Sequence, residues 1–561
     1  MKRDLNQLTQ KEFDIVLVGG GIYGVMTAWD AALRGLRVAL IESGDFGGAT
    51  SSNSLKIIHG GLRYIQHADI RRMRESIRER RIMMKIAPHL VYPLEFVIPT
   101  YGHFIKGPEA MFVALKINDL VSFDRNTLPD SQKHLPAGKI ISREECLRRI
   151  PGVDEENLSG GAVWYDAQLY NSERMIFSIL HSAVDAGVAA ANYVAAKDFI
   201  REENRVAGVL AEDQLSGDRF EIRGKLVVNT TGPWINKMLN RLKKGTHPGE
   251  VTLAKMMNIV TKPLFDGYSV GVYSKYEYKD RDAVISKGSR LYFITPWRNL
   301  SLIGTAQMAY EGDPDEFRIT HEDIEIFMKE INEAYPTANL TFKDVRFYYG
   351  GLLPIKADYN DPRNVTLTKH YRFIDHKKED GIDGLLSVVS VKYTTARDVS
   401  EKLVNLALQK LGLKNRPSKT AETPVYGGDI DHFKAYLQDV LENSPDGFSR
   451  DVMRHLVINY GTAYRDILQI AEENAAAAGP LKGQTEILKA EVVHGVREEM
   501  AQHLGDVVFR RTELGPSGLP GEAVLADIAA LMAAELGWNK QQVRDEIQAV
   551  KKVYEPLLPE D

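Results

Sequence analysis

The sequence predicts an α/β protein that begins with a strand–helix–strand unit and ends in a domain of helices. Two observations carry this prediction: an apolar run followed by three spaced glycines near the N-terminus, and a tail from about residue 423 in which apolar residues recur at helical spacing. The chain has 561 residues, 44% hydrophobic and 26% charged, which is typical of a globular protein with more than one domain. The net charge is −5, so no basic excess indicates a nucleic-acid partner.

The single cysteine, Cys146, cannot form an intramolecular disulfide, and alone it cannot build a metal cluster. We therefore expect no metal site, a small core or surface role for this thiol, and a reducing, cytoplasmic setting. The N-terminus lacks the apolar run of a signal peptide, and no stretch of 18 uncharged apolar residues occurs. A membrane-spanning helix is thus not expected, whereas peripheral binding to the cytoplasmic membrane face stays open.

The strongest local signal is FDIVLVGGGIYGVMTAWDAALRGLRVALIESG, at residues 13–44. Residues 15–18 form a short apolar run typical of a buried parallel strand. Residues 22–33 have helical spacing, and LRVALIE then predicts a second strand that ends at Glu42. This order is the βαβ unit that binds dinucleotides.

The three glycines between the first strand and the helix each have a physical reason. Gly19 permits the tight turn, Gly21 lets the backbone approach a pyrophosphate, and Gly24 allows the helix to pack closely on the strand. The helix N-terminus offers unpaired N–H groups to the phosphates. Glu42 can accept hydrogen bonds from ribose hydroxyls and would repel a 2′-phosphate, which disfavours NADP but leaves NAD and FAD open.

Polar and glycine-rich segments further along the chain are typical of a larger cofactor. A loop rich in hydroxyl groups precedes HGGLRY at residues 59–64, where two glycines let the backbone lie against a flat ligand. A strand at KLVVNTTGPWI, residues 225–235, runs into a turn that could bring Gly232 to the same ligand. A hairpin is expected around Gly217.

Seven motifs in this order resemble the FAD-dependent glycerol-3-phosphate dehydrogenase/oxidase family: VLVGGGIYG, LIESGDFGGATSS, KIIHGGLRYI, VNTTGPW, FITPW, LIGTAQ and SVKYTTAR. The resemblance covers nearly the whole chain. It implies a Rossmann-like FAD-binding domain interleaved with a mixed-sheet substrate domain over residues 1–422, and a C-terminal helical domain over residues 423–561. The strand-like segments VTLAKMMNIVT and SRLYFITPWRNLSLIGTAQ fit the mixed sheet. The cofactor-binding residues so implied are Gly19, Gly21, Gly24, Glu42, Thr50, Ser51, Ser52, Gly60, Gly61, Thr231 and Gly232.

The chemistry implied is oxidation of a secondary hydroxyl of glycerol 3-phosphate or a related polyol, with the hydride passing to flavin. His59 is the candidate base, although it could instead brace the flavin loop. Arg63 would anchor an anionic substrate or a developing alkoxide, and Lys392 matches a pocket lysine. Tyr64 is expected beside them, and Lys56 is interpreted as a surface lysine.

Several pocket positions depart from the family pattern. Leu353 stands where the family has a phosphate-binding arginine, and Lys369 stands where it has a second one. Asn258 and Gln307 replace a histidine and an aspartate. These changes favour a different, unphosphorylated hydroxy or amine substrate, unless Arg346 or Arg372 reaches the phosphate instead. A non-catalytic flavoprotein subunit is the alternative from another class.

Two segments bear on partners. The basic run IRRMRESIRERR, residues 70–81, is interpreted as a solvated helix face with Arg–Glu pairs. WINKMLNRLKK, residues 234–244, has an apolar stripe that suits either a membrane interface or the core. The sequence leaves open whether quinone or oxygen accepts the electrons, and whether the protein is a homodimer.

Overall fold

The computed structural model describes residues 1–104, 107–242, 251–277, 288–356, 365–368 and 370–558. Its strands are β1 Phe13–Val18, β2 Val38–Ile41, β3 Ile57–Ile58, β4 Val91–Tyr101, β5 Lys139–Ile141, β6 Leu158–Leu169, β7 Ala189–Ala191, β8 Val194–Glu202, β9 Arg205–Asp213, β10 Arg219–Asn229, β11 Thr252–Thr261, β12 Tyr268–Glu277, β13 Ser289–Trp297, β14 Leu300–Tyr310, β15 Val345–Lys356, β16 Thr366–Leu367, β17 Arg372–Asp375 and β18 Leu385–Val389. Its α-helices are α1 Asn6–Thr9, α2 Ile22–Leu33, α3 Ile70–Ile86, α4 Pro108–Val121, α5 Arg143–Arg149, α6 Ser172–Asp185, α7 Ile235–Leu239, α8 His321–Ala334, α9 His376–Glu379, α10 Ala396–Lys410, α11 Phe433–Glu442, α12 Arg450–Tyr460, α13 Tyr464–Glu473, α14 Lys489–Glu499, α15 Leu504–Asp506, α16 Glu522–Leu536 and α17 Lys540–Lys552.

The first sheet has the strand order β17-β18-β10-β1-β2-β7, with the β8–β9 hairpin joined to it through β10. The central strands are parallel, so Val18, Ile41, Asn229 and Ser387 come to the same edge of the sheet. Helices α2, α6 and α10 pack on this sheet around a core that includes Trp29. Ligands bind at the carboxyl ends of the strands in open parallel sheets, so this edge is where a cofactor is expected.

The second sheet has ten strands in the order β16-β15-β11-β14-β13-β12-β4-β6-β3, with β5 on β6. Its neighbours are antiparallel except for β12 and β4, which are parallel. The two sheets alternate along the chain, which confirms the predicted interleaved architecture with a mixed substrate-side sheet. The hairpin at Gly217 and the strands in residues 251–261 and 289–307 also form as predicted.

Helices α11 to α17 form the C-terminal part of the chain, as the apolar spacing predicts. The division at residue 422 stays a prediction. The buried contacts between this part and the cofactor module include Arg174 on α6, which donates two hydrogen bonds to Glu499 on α14, at 2.8 and 2.7 Å. Burial acts to raise the pKa of Glu499, but Arg174 and the neighbouring histidines hold that pKa well below its usual value.

The structure decides the burial of two features that the sequence left open, the apolar stripe in residues 234–242 and the thiol of Cys146. In residues 234–242 the apolar stripe consists of Ile235, Met238, Leu239 and Leu242, which lie in the core beside the first sheet. This stretch therefore does not form a membrane interface. Cys146 is buried among apolar residues of the second sheet. Among the described helices, none combines the length and apolar character needed to cross a bilayer.

Candidate functional site

A cavity of about 1250 Å³ lies between the carboxyl edge of the first sheet and one face of the second. It exceeds the roughly 300–1,000 Å³ of ordinary small-molecule sites, which suits a dinucleotide together with a substrate. The predicted site residues that line it are Gly19, Gly21, Glu42, Thr50, Ser51, His59, Gly61, Arg63, Tyr64, Thr231, Gly232, Asn258, Gln307, Leu353 and Lys392. Of the others, Gly24, Ser52 and Gly60 do not line the cavity, and Lys369 lies outside the described residues.

The glycine turn after β1 has the cradle that a pyrophosphate needs. Gly19 has φ +109°, and a Cβ there would come within 2.7 Å of the carbonyl oxygen of Thr230. A Cβ on Gly24 would come within 1.9 Å of the Gly19 carbonyl oxygen, so only glycine lets α2 approach β1 this closely. Gly24 thus performs its predicted packing role without touching the cavity.

The N-terminus of α2 points its free N–H groups at the cavity. Its N-cap residue, Gly21, has no side chain to bond them, and the hydroxyl oxygen of Ser51 accepts from the N–H of Ile22 at 2.9 Å. Backbone donors at a helix N-terminus bind phosphate well. These residues fit the pyrophosphate of FAD, and Gly21 and Ser51 would contact it.

Glu42 lies directly after β2, as predicted, and is half-buried. Its carboxylate accepts from the N–H groups of Gly20 at 2.6 Å and Gly44 at 2.9 Å. Burial raises the pKa of Glu42, while these two hydrogen bonds act to lower it. The side chain is therefore held in one orientation at the cavity wall, where it can accept from ribose hydroxyls.

The segment from Thr50 to Gly61 carries the polar loop and the base candidate. The hydroxyl of Thr50 donates to the carbonyl of Leu352 at 2.9 Å, which joins the loop to β15. Ser52 is buried and donates to the carbonyl of Gly47 at 2.7 Å, so it braces the loop instead of facing a ligand. Gly60 donates its N–H to Asp166, and that contact keeps it off the cavity. Ser52 and Gly60 therefore brace the loop and do not line the cavity, and their assignment to cofactor binding stays a prediction.

The turn after β10 brings Thr231 and Gly232 to the cavity, as predicted. Thr231 donates its N–H and its hydroxyl to Asn229 at 3.1 and 2.6 Å, which fixes the turn. Gly232 has φ +55°, and a Cβ built there meets no atom within 4 Å. Backbone freedom, and not close contact, therefore explains glycine at this position.

His59 follows β3 and meets the ring of Tyr64 edge-on, with 5.9 Å between the ring centroids. Burial lowers the pKa of His59 to about 3, and the nearby Lys392, Arg80 and Arg72 add to the shift. The imidazole is consequently neutral at physiological pH. A neutral imidazole can accept a proton, as a general base must.

Two cations lie against Tyr64 inside the cavity. The Lys392 Nζ lies 4.1 Å and the Arg72 guanidinium 4.0 Å from the centroid of its ring. Burial, together with the Arg72 charge, lowers the pKa of Lys392 to about 7. Arg63 lines the same region and is exposed. This group of positive charges, which we call the cationic end of the cavity, suits an anionic ligand.

The second sheet forms the opposite wall. Leu353 lines the cavity, pairs with Ala254 across β11 and β15, and packs with the apolar cluster of Met256 and Val365. Asn258 is buried, and its amide oxygen accepts from the Thr305 hydroxyl at 2.8 Å. Gln307 lies opposite Met256 on β14. The three substituted positions Asn258, Gln307 and Leu353 thus all face the cavity.

Lys56 is not a surface residue, which corrects the sequence interpretation. Its Nζ is buried and bonds Glu173 at 2.8 Å and the Ser172 hydroxyl at 2.7 Å. It also lies 4.6 Å from the centroid of the Tyr349 ring. A lysine is buried only when paired, and Glu173 lies 117 positions away in the chain, so no local pattern reveals the pair.

The basic run 70–81 is only partly solvated, so its interpretation as a solvated face is also wrong in part. Arg72, Glu79 and Arg80 are buried on the inner face of α3, and Arg80 pairs with Asp166. Sequence reasoning missed Arg72 and Asp166. The one available signal was the carboxylate in the mostly apolar segment GAVWYDAQL, since a buried aspartate needs partners.

Comparison with known proteins agrees with this geometry. The family described as FAD dependent oxidoreductase matches residues 14–371, and the family described as C-terminal domain of alpha-glycerophosphate oxidase matches residues 418–543. The chain is 32% identical over 557 residues to a glycerol-3-phosphate dehydrogenase of Synechocystis, covering 97% of both chains. It is 28% identical to the human mitochondrial glycerol-3-phosphate dehydrogenase, covering 96% of this chain and 73% of that one.

A solved structure shares the fold. The glycerol-3-phosphate dehydrogenase from Bacillus halodurans, complexed with FAD, superposes with a TM-score of 0.75 at 24% identity, covering 99% of this chain and 98% of that one. The chain therefore belongs to the family of FAD-dependent oxidoreductases, among relatives named glycerol-3-phosphate dehydrogenase.

Proposed function

We propose that this protein oxidises the secondary hydroxyl of glycerol 3-phosphate to a ketone. The observation that carries the proposal is the cationic end of the cavity, where Lys392 and Arg72 flank Tyr64 beside the neutral His59. A phosphate monoester carries up to two negative charges near pH 7, and paired cations hold such a group strongly. The shared name of the relatives supports the same substrate.

The residues divide the work between binding and proton transfer. FAD, when bound, supplies the acceptor for the hydride that leaves the substrate carbon. His59 takes the hydroxyl proton, since its imidazole is neutral; its low pKa makes it a weak base until a bound anion offsets the charges of Lys392, Arg80 and Arg72. Lys392 and Arg72 hold the phosphate, and Arg63 at the rim of the cavity attracts the anion.

A second candidate is an unphosphorylated hydroxy substrate. It is favoured by the wall formed by Leu353, Met256 and Val365, which offers a ligand apolar contact and no charged donor. The two candidates differ in whether the substrate carries a phosphate, which would lie at the cationic end, or only neutral groups, which would lie against this apolar wall.

Anaerobic mixing with glycerol 3-phosphate should bleach the flavin, and His59→Ala should slow the bleaching about a hundredfold while FAD stays bound. The reason is that loss of the imidazole leaves no neutral base at this position. Stopped-flow absorbance measures the rate, and the flavin spectrum before mixing reports cofactor content. His432→Ala, an exposed histidine on the C-terminal part, is the matched control. An unchanged rate in His59→Ala at saturating substrate would remove His59 from the mechanism.

The pH dependence of kcat/KM should follow the ionisation of Lys392. Since its pKa is about 7, the ammonium is present below that pH and lost above it, so kcat/KM for glycerol 3-phosphate should fall about tenfold per unit above pH 7. The substrate phosphate, with a second pKa of about 6, is already a dianion there. Lys392→Met should lower kcat/KM at pH 6 and abolish the fall between pH 7 and 9. If the variant keeps the same slope, another group is responsible.

Leu353→Arg separates the two substrate candidates. With the phosphate at the cationic end, wild type should prefer glycerol 3-phosphate to glycerol, and the new guanidinium should change kcat/KM by less than tenfold. A charge-assisted contact contributes roughly 1.5–3 kcal/mol, or about ten- to a hundredfold. A rise of that size in the variant would place the phosphate at residue 353. Faster bleaching of the wild type by glycerol would favour the unphosphorylated substrate.

We also propose that the protein docks on the cytoplasmic membrane face, while quinone and oxygen both stay open as the electron acceptor. The support is an apolar surface around α4, where Phe104, Leu120 and Phe123 are 80%, 75% and 78% exposed. Phe112 and Val113 extend this α4 surface, and the Lys116 Nζ lies 5.4 Å from the centroid of the Phe112 ring. Aromatic and basic side chains together suit the interface of an anionic bilayer. Whether the protein is a homodimer stays a prediction.

Sedimentation with vesicles of phosphatidylglycerol tests the α4 surface. Wild type should bind to the vesicles. The double change Phe112→Ser with Phe123→Ser should lose most of this binding, because it removes two aromatic rings that would insert into the bilayer interface. The matched control changes two exposed leucines elsewhere, Leu413→Ser with Leu519→Ser. Equal binding of the two double variants, or none by wild type, would refute the docking proposal.

A further inference from the structure

Among the described residues of the C-terminal part, Arg510 reaches the cofactor cavity. It belongs to a π-helical turn, Val507–Arg511, and lines the cavity beside Glu42, Gly44 and Gly48. A Cβ on Gly48 would lie 4.0 Å from the guanidinium carbon of Arg510. Arg510 therefore approaches the same stretch of wall as the Glu42 carboxylate, far from the cationic end.

The guanidinium of Arg510 is fixed on two sides. Its Nε donates to Asp45 at 2.5 Å, and its Nη2 donates to Asp506 at 2.5 Å. Asp506 is held in turn by the hydroxyl of Tyr193 at 2.7 Å and by the N–H of His503 at 3.0 Å. Within the part of the chain that the structure describes, Nη1 makes no hydrogen bond. The side chain is thus rigid, with one nitrogen left to donate.

The same contacts tie the glycine-rich wall to the C-terminal turn. Asp45 also accepts from Arg511 at 2.8 Å and from the amide of Asn192 at 3.0 Å. Two residues later, Gly47 donates its N–H to the carbonyl of Gly20 in the glycine turn after β1, at 3.0 Å. The segment 42–48 is therefore held between the pyrophosphate cradle and the C-terminal arginines.

The charges agree with a ligand at Nη1. Burial acts to raise the pKa of Asp45, but Arg511 and Arg510 outweigh it and lower that pKa to about 2. Asp506 forms an ion pair with Arg510 at 2.5 Å. The two carboxylates and two guanidinium groups thus balance. Nη1 can donate to an oxygen of a ligand without breaking either ion pair, and a charged donor makes a stronger bond than a neutral one.

We propose that Arg510 is an FAD-binding residue, donating from Nη1 to an oxygen of the adenosine-diphosphate half of the cofactor. The C-terminal helical part then completes the cofactor site instead of only covering it. The inference rests on the FAD site described above and is independent of the substrate. It predicts that binding of this half of FAD depends on a residue 465 positions from its partner Asp45.

Titration of apoprotein with ADP and with FAD tests the proposal. Arg510→Met should weaken both ligands at least tenfold, the loss of about one charge-assisted bond. ADP binding is measured by calorimetry and FAD binding by quenching of flavin fluorescence. Arg497→Met is the matched control, because Arg497 lies in the same part of the chain, pairs with Glu535 at 2.7 Å and does not line the cavity. Equal ADP affinity in Arg510→Met and Arg497→Met overturns the proposal.

The effect of losing the Arg510 ion pairs on folding must be separated from the effect of losing the Nη1 donor on ADP binding. The thermal midpoint of each apoprotein is measured first, and the titrations are run well below the lowest midpoint. Arg510→Lys keeps a cation against Asp45 but lacks the planar fork, so it should stay folded and still bind ADP several-fold more weakly. Wild-type ADP affinity in a folded Arg510→Lys would overturn the assignment even if Arg510→Met fails to fold. Because ADP binding needs no turnover, the titration can be interpreted even if the proposed substrate is wrong.

Discussion

The approach of α2 to β1 is the constraint on which the rest of the site depends. A Cβ on Gly24 would lie 1.9 Å from the Gly19 carbonyl oxygen, so a larger residue would force the helix away from the strand. With the helix in place, its N-terminal donors face the cavity, and Ser51 and Gly20 find their partners in Ile22 and Glu42. Displacing the helix would move the phosphate cradle and the ribose acceptor together.

The cavity has two chemically different ends, and this polarity organises binding. At one end, Glu42 is an oriented acceptor with backbone donors around it, which suits hydroxyl-bearing sugar. At the other, His59 and Lys392 have lowered pKa values because burial and neighbouring cations disfavour further positive charge. An anion bound there would relieve that repulsion. Phe96 stacks on Trp164 with 5.2 Å between ring centroids, and both line the cavity as a flat apolar wall.

Features of the fold that depend on residues close together in the sequence were predictable. β1, α2, the glycine turn and the helical tail all follow from local spacing, and motif order located His59, Tyr64 and Lys392 in one cavity. Which charged side chains are buried in ion pairs could not be predicted from local spacing. Lys56 and Glu173, or Arg80 and Asp166, are paired by folding and not by spacing. A basic run on a helix therefore gave no sign of which arginines face inward.

The interleaving of the two sheets also constrains when the protein can become a flavoprotein. The first sheet draws its strands from residues 13–41, 189–229 and 372–389, and β18 pairs with β10 across more than 150 positions. Such distant pairing forms slowly, because long loops must close first. In a nascent chain that has not reached residue 385, the backbone groups of β10 that pair with β18 have no partner strand. Such an unpaired edge can pair with other chains and promote aggregation. Cofactor loading is consequently a late event in the life of each molecule, and dependence on chaperones during synthesis should be greatest in this interval.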